Sequence, residues 1–124
     1  MKGRDITVVV AEDDPSILAI TVEFLEELGF ETLPALDAYQ ALGHIMRNDV
    51  DVVFCDVDMP GDSDGIKLAA SLRHQVPEIQ VVLTSGWMWP GKGNVPKGCL
   101  FFRKPYNVEE VAKSFVKRGL LARL

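Results

Sequence analysis

The sequence is poor in cysteine, histidine and long apolar runs, and each scarcity excludes a class of protein. Its 124 residues include two cysteines and two histidines, too few for a disulfide-dense scaffold or a zinc site built from clustered ligands. No apolar run is long enough to span a bilayer, and no secretory signal precedes the first strand pattern. We therefore expect a cytoplasmic protein in which Cys55 and Cys99 stay reduced.

Basic residues are also scarce relative to acidic ones. The chain has 13 Lys and Arg against 18 Asp and Glu, which gives a formal net charge of −5. This balance argues against a general affinity for nucleic acids or anionic membranes, because no basic stripe would offset phosphate repulsion. The length suits one domain with one core. We expect a single domain over 1–124, with a core at about 5–118 and a short tail at 119–124.

Short β-branched runs alternate with helical patterns from end to end. The predicted order is β-α-β-α-β-α-β, a loop or short helix, then β-α, which indicates a parallel sheet with right-handed crossovers. The last helix is expected to run from Val108 towards a stop at Gly119. Capping signals start the predicted helices at Asp14-Pro15, Asp37, Asp64-Gly65 and Asn107 with Glu110.

The segment between the fourth and fifth strand patterns is rich in glycine and proline. Pro90, Gly91, Gly93 and Pro96 make a regular helix improbable there. We expect at most a short turn or helix near Val95, so that the fourth helix of the α/β pattern is irregular or shortened.

Reactive polar residues follow four of the apolar runs. Glu12-Asp13, Asp56, Thr84 and Lys104 come at or just after the predicted strand ends. Ligands bind at the carboxyl ends of strands in an open α/β sheet, so we expect these side chains to meet at one edge. Three carboxylates favour Mg²⁺ over zinc. A carboxylate can accept a phosphoryl group, while an ammonium and a hydroxyl stabilise the charge on that group.

The motifs at these strand ends resemble the receiver domain of two-component response regulators. They are Val-Val-Val-Ala-Glu-Asp-Asp-Pro, Asp-Val-Asp-Met-Pro-Gly, Leu-Thr-Ser-Gly and Arg-Lys-Pro-Tyr, and the resemblance covers residues 5 to 118. It implies a flavodoxin-like, doubly wound sheet of five parallel strands in the order 2-1-3-4-5.

The resemblance also implies a metal site. Asp56 resembles the phospho-accepting aspartate, and Glu12 and Asp13 resemble the acidic pair that holds Mg²⁺, with Asp13 the more direct ligand. Asp58 matches the position that lends its backbone carbonyl to the metal.

Three further residues match positions that take part in phosphorylation and activation in the family. Thr84 corresponds to the switch hydroxyl, Lys104 to the lysine of the site, and Phe101 to the aromatic that changes rotamer on activation. The resemblance therefore implies a mainly non-enzymatic signalling domain. The only reactions it would catalyse are its own phosphorylation and dephosphorylation. Its expected partners are a sensor histidine kinase or phosphotransfer protein and a downstream protein, with no nucleic acid or membrane.

Two other functions remain open from the sequence. Asp56-Val-Asp58 resembles the Asp-x-Asp signature of a haloacid-dehalogenase-type phosphatase, although that signature usually follows the first strand and gives Glu12-Asp13 no role. Alternatively, the same fold could bind a partner without being phosphorylated.

Overall fold

The computed structural model describes residues 6–59, 65–86 and 95–119. Over these ranges the chain forms five strands and four helices. They are β1 (Thr7–Ala11), α1 (Pro15–Glu27), β2 (Glu31–Ala35), α2 (Ala38–Arg47), β3 (Val52–Asp56), α3 (Gly65–Gln75), β4 (Gln80–Ser85), β5 (Leu100–Arg103) and α4 (Val108–Lys113). All strand pairs are parallel, in the order β2-β1-β3-β4-β5. The predicted doubly wound, flavodoxin-like fold is confirmed.

The central strands are buried on both faces, as their continuous apolar runs indicate. Every residue of β3 and β4 is buried. Side chains alternate along each strand, so Val9 and Val53 pack in one cluster while Val8 and Phe54 pack in the other. This two-sided core fixes the direction of every strand and brings their carboxyl ends to one edge.

Helix α1 begins at the predicted signal, directly after the first acidic residues. Asp14 Oδ1 accepts hydrogen bonds from the backbone N–H groups of Ser16 (2.9 Å) and Ile17 (3.3 Å), and Pro15 is the first helical residue. The chain leaves the helix at Gly29, whose φ of 100° is in the left-handed region that favours glycine. The short turn from β1 into α1 therefore holds the backbone around Glu12 and Asp13 in place.

The apolar stripe of α2 is less buried than its spacing indicates. Ile45 packs against the core, but Met46 is 84% exposed and Leu42 is 39% exposed. The neighbouring strand β2 lies at the sheet edge, in agreement with its Pro34. His44 Nε2 is 2.7 Å from the Pro34 carbonyl oxygen, so this histidine has a structural contact on the outer edge.

The last helix is shorter than predicted. Helix α4 begins at the Asn107 cap as expected but ends at Lys113, well before Gly119. The side chain of Gln80 donates to the Ser114 carbonyl (2.7 Å) and accepts from the Val116 N–H (2.9 Å). These bonds satisfy backbone groups that a longer helix would have paired internally, so the chain leaves the helix there.

Three predictions fall largely outside the described residues. They concern most of the irregular segment, at 87–94, the helix start at Asp64, and the tail at 120–124. Residues 95–99 form a turn in which the Cys99 N–H donates to the Pro96 carbonyl at 3.2 Å, as expected near Val95. Among the helices that are described, none combines the length and apolar character needed to cross a membrane.

Candidate functional site

The predicted site residues meet at the carboxyl edge of the sheet. Ala11 of β1 is in register with Cys55 of β3, which brings Glu12 beside Asp56. Asp56 is in register with Thr84 of β4, and Ser85 is in register with Arg103 of β5. Lys104, which follows β5, donates its backbone N–H to the Ser85 carbonyl at 2.9 Å. These residues follow four different strands in the sequence. The parallel register brings them together at one edge of the sheet.

Three carboxylates form an acidic cluster at this edge. Carboxylate oxygens of Glu12, Asp13 and Asp56 lie within 4.8 Å of one another. Glu12 and Asp56 are buried, with 6% and 3% of their surfaces exposed, whereas Asp13 is exposed. Burial, followed by the hydrogen bond and charge of Asp56, raises the pKa of Glu12 to about 8. Such a cluster of hard oxygen ligands suits a divalent cation, which would offset the repulsion among the carboxylates.

Lys104 is paired with the predicted acceptor. Its Nζ is 2.8 Å from Asp56 Oδ2 and 3.6 Å from Asp58 Oδ2. Burial lowers the pKa of this lysine, but the hydrogen bond and charge of Asp56, with Glu12 and Asp58, outweigh burial and raise the pKa above its ordinary value. The side chain is therefore an ammonium at neutral pH and holds one oxygen of Asp56.

The Asp58 side chain forms contacts that its predicted role did not include. Its Oδ1 accepts from the Ser85 hydroxyl (2.8 Å) and its Oδ2 from the Gly86 N–H (3.1 Å). Its own N–H donates to Asp56 Oδ1 at 2.8 Å. Asp58 thus joins the turn after β3 to the end of β4. The polar Ser85 directly after Thr84 was the sequence signal for this contact.

Thr84 and Phe101, the two predicted switch residues, occupy neighbouring strands. Thr84 is 2% exposed, and its Oγ1 makes no hydrogen bond within the part of the chain that the structure describes. Phe101 is half-buried and packs against the core cluster that contains Val53 and Leu83. The structure therefore places Thr84 at the site, and Phe101 on the neighbouring strand against a core cluster.

Sequence spacing did not identify Tyr106 and Thr21 as neighbours of the site. The Tyr106 ring meets Phe54 edge-on, with ring centroids 5.5 Å apart. Burial raises the pKa of its phenol, while a hydrogen bond with the Thr21 side chain lowers it. The hydroxyl is the one signal that sets Tyr106 apart from an ordinary core aromatic.

Comparison with known proteins agrees with this geometry. The family model described as response regulator receiver domain matches residues 8–90. The nitrogen assimilation regulatory protein NtrX of Azorhizobium caulinodans is 27% identical over 84% of this chain and 24% of its own length. Protein PilG of Pseudomonas aeruginosa is 25% identical over 84% of this chain and 80% of its own.

A solved structure shows the same fold. The response regulator protein TrrA of Thermotoga maritima, in complex with Mg²⁺ and BeF, superposes with a TM-score of 0.76 over 87% of this chain and 94% of that one, at 22% identity. The comparisons give no support to the haloacid-dehalogenase-type alternative. This chain belongs to the response regulator receiver domain family.

Proposed function

We propose that Asp56 is the phosphoryl acceptor of this receiver. The observation that carries the proposal is the 2.8 Å contact between Asp56 Oδ2 and the Lys104 ammonium beside a cluster of two further carboxylates. An Asp56 oxygen attacks the phosphorus of a phosphohistidine on a donor protein. A P–O bond forms, the P–N bond breaks, and the imidazole nitrogen retains the electron pair. Lys104 stabilises the negative charge of the transferring group.

The acidic cluster suits Mg²⁺ as the cofactor. Glu12, Asp13 and Asp56 would hold the ion with carboxylate oxygens, and Asp58 would add its backbone carbonyl. When bound, Mg²⁺ supplies positive charge beside the phosphoryl oxygens. The buried Glu12 and Asp56 restrict the geometry of the cluster, while the exposed Asp13 leaves it open to solvent.

We propose that Thr84 and Phe101 change position when Asp56 is phosphorylated. The Thr84 hydroxyl donates to a phosphoryl oxygen on Asp56, since the two residues are in register on adjacent strands. Phe101 is in register with Leu83, the residue before Thr84, so a shift of β4 reaches this ring. The phosphorylated form would thereby favour a second conformation of the β4–β5 side.

The donor in this proposal is a sensor histidine kinase or a phosphotransfer protein, and the recipient of the signal is another protein. The net charge of −5 supports protein rather than nucleic acid or anionic lipid as the output partner. We also propose a cytoplasmic location, a reducing compartment, which agrees with the absence of a disulfide at Cys55 and Cys99 within the described residues.

Incubation with acetyl phosphate and Mg²⁺ tests this assignment. Intact-mass spectrometry should show one phosphoryl group that is stable in acid and labile in base, and Asp56→Ala should lose it. Asp49→Ala, an exposed aspartate near the start of β3, is the matched control and should be modified like the wild type. Full modification of Asp56→Ala would refute the assignment, and steady turnover of small phosphomonoesters would favour a phosphatase.

A further inference from the structure

A small cavity adjoins the acceptor Asp56 at the carboxyl edge of the sheet. Its volume is about 10 Å³, close to the minimum of about 10–15 Å³ that holds one water molecule. Five of its eight lining residues have polar side chains: Glu12, Thr21, Asp56, Thr84 and Tyr106. A buried water normally makes two to four hydrogen bonds, so the lining offers the partners that such a site needs.

Tyr106 presents an acceptor to this cavity. Its side chain lines the cavity beside Thr21, whose Oγ1 donates its single proton to the Ile17 carbonyl at 2.8 Å. Thr21 therefore has no proton left for a group in the cavity, whereas the Tyr106 oxygen can accept a hydrogen bond there.

Thr84 supplies the donor. Its buried Oγ1 makes no hydrogen bond with any residue that the structure describes, and a buried hydroxyl without a partner is unfavourable. Oγ1 therefore makes no direct hydrogen bond with Tyr106. A water between them would accept from Thr84 and donate one proton to the Tyr106 oxygen and the other to a carboxylate of Asp56 or Glu12.

We propose that Tyr106 is a further positioning residue of the receiver site, which holds the Thr84 hydroxyl in the unphosphorylated state through one buried water. This inference rests on the proposed function, in which Thr84 turns to a phosphoryl oxygen. The hydroxyl then has two competing partners, the water bound by Tyr106 and the phosphoryl group. Tyr106 thus biases the resting state from the cavity that Asp56 and Thr84 also line.

Removal of the Tyr106 hydroxyl should favour the phosphorylated-like state. Tyr106→Phe keeps the ring against Phe54 and removes the acceptor of the water. We expect its affinity for BeF₃⁻ in saturating Mg²⁺ to rise about fivefold, the worth of one net hydrogen bond, with an unchanged affinity for Mg²⁺ alone. Isothermal titration calorimetry measures both. Tyr39→Phe, which changes the other tyrosine of the chain at a position 83% exposed, is the matched control and should match the wild type.

A double-mutant cycle separates positioning from a purely structural effect. In a Thr84→Ala background, Tyr106→Phe should have no further effect on BeF₃⁻ affinity, because the competing hydroxyl is gone. An equal effect in both backgrounds, or no effect in the wild-type background, would overturn the inference. If the wild type itself fails to bind BeF₃⁻ with Mg²⁺, the proposed function fails instead.

A high-resolution crystal structure tests the water independently of phosphoryl binding. It should show a water within hydrogen-bond distance of both Thr84 Oγ1 and the Tyr106 oxygen in the wild type, and none at that place in Tyr106→Phe. A Thr84 hydroxyl bonded directly to a protein group in the wild type would refute the proposal.

Discussion

At the scale of single residues, Gly65 shows how closely α3 approaches the acceptor. A Cβ atom on Gly65 would lie 2.9 Å from the Asp56 carbonyl oxygen, 3.0 Å from Cys55 Sγ and 3.0 Å from Val57 Cα. Two of these neighbours are backbone atoms of the strand end and its turn, which cannot move aside without displacing Asp56. The contact explains why the helix begins with glycine at this point.

Gly65→Ala should therefore lower the stability of the fold. We expect a loss of about 1–3 kcal/mol in the free energy of unfolding, the usual cost of overpacking, together with slower phosphorylation by acetyl phosphate. Urea denaturation measures the first quantity. Gly86→Ala is the matched control, because its Cβ would be no closer than 3.9 Å to Lys104. Equal stability of the two variants would contradict the packing explanation.

Cys99 offers a prediction of pH dependence at the same scale. Burial raises the pKa of its thiol to about 11, so only about one molecule in a thousand carries the reactive thiolate at pH 8. Native protein should react slowly with iodoacetamide at pH 8, and the rate at Cys99 should rise about tenfold per pH unit towards pH 11. Peptide mass spectrometry follows the reaction, with urea-unfolded protein as the control. A rate that levels off near pH 8 would contradict the prediction.

At the scale of secondary-structure elements, the end of α4 depends on a residue far away in the sequence. Gln80 is 3% exposed and bonds the Ser114 carbonyl and the Val116 N–H through its side chain. Gln80→Ala leaves these two backbone groups without that partner. We expect the free energy of unfolding to fall by about 2–4 kcal/mol. A fully buried polar group left unpaired costs about 1–3 kcal/mol, and these two groups are only partly buried.

Thermal unfolding and far-UV circular dichroism together test this explanation. If Gln80 ends the helix, the helical signal of Gln80→Ala should stay the same or increase slightly while the melting temperature falls. A variant with unchanged stability would show that the end of α4 has another cause. Gln75→Ala, an exposed position at the end of α3, provides a control in which a glutamine side chain is lost from the surface.

The helix starts and the helix end differ in how far the sequence predicts them. The starts at Pro15 and Val108 follow from Asp14 and Asn107, which cap the backbone within three residues. The end at Lys113 follows from Gln80, across 34 residues, and no local pattern contains that information. Local signals predict where a helix begins, but a tertiary contact decides where this one ends.

The same distinction applies to the site. Glu12, Asp56 and Lys104 were predictable because a parallel sheet brings its strand ends to one edge whatever the side chains do. The bonds that Asp58 accepts from Ser85 and Gly86 depend on side-chain direction and register. Sequence spacing specifies neither, so these contacts appear only in the folded chain.

At the scale of the whole molecule, buried carboxylates lie at both edges of the sheet but have different neighbours. At the amino edge, Asp51 accepts from the Thr7 N–H and the Arg118 N–H, each at 2.7 Å, and Lys117 Nζ is 3.9 Å away. At the carboxyl edge, Glu12 and Asp56 lie together with Asp13. The first arrangement pairs one acid with donors and stabilises the fold. The second also gives Asp56 a partner, Lys104, but it places three acids together and therefore favours a cation.

Mg²⁺ should therefore stabilise the whole fold through the second edge. A ligand that binds only the folded state adds about 2.7 kcal/mol at about a hundred times its Kd, so the melting temperature should be higher in millimolar Mg²⁺ than in EDTA. Asp13→Asn removes one negative charge from the cluster at an exposed position. This variant should lose most of the Mg²⁺-dependent gain, yet melt in EDTA at or above the wild-type temperature, because one repulsion is relieved.

Asp49→Asn separates loss of the cluster from loss of charge in general. This aspartate is exposed and precedes β3 at the opposite edge, so its variant should keep the full response to Mg²⁺. Differential scanning calorimetry of the three proteins, in Mg²⁺ and in EDTA, gives the comparison. If both variants lose the Mg²⁺-dependent rise in melting temperature equally, the rise is an effect of ionic strength. If the melting temperature of the wild type does not change with Mg²⁺, the proposed cation site is wrong. If Mg²⁺ no longer stabilises Asp13→Asn but still stabilises Asp49→Asn, the Mg²⁺ effect belongs to the carboxyl edge.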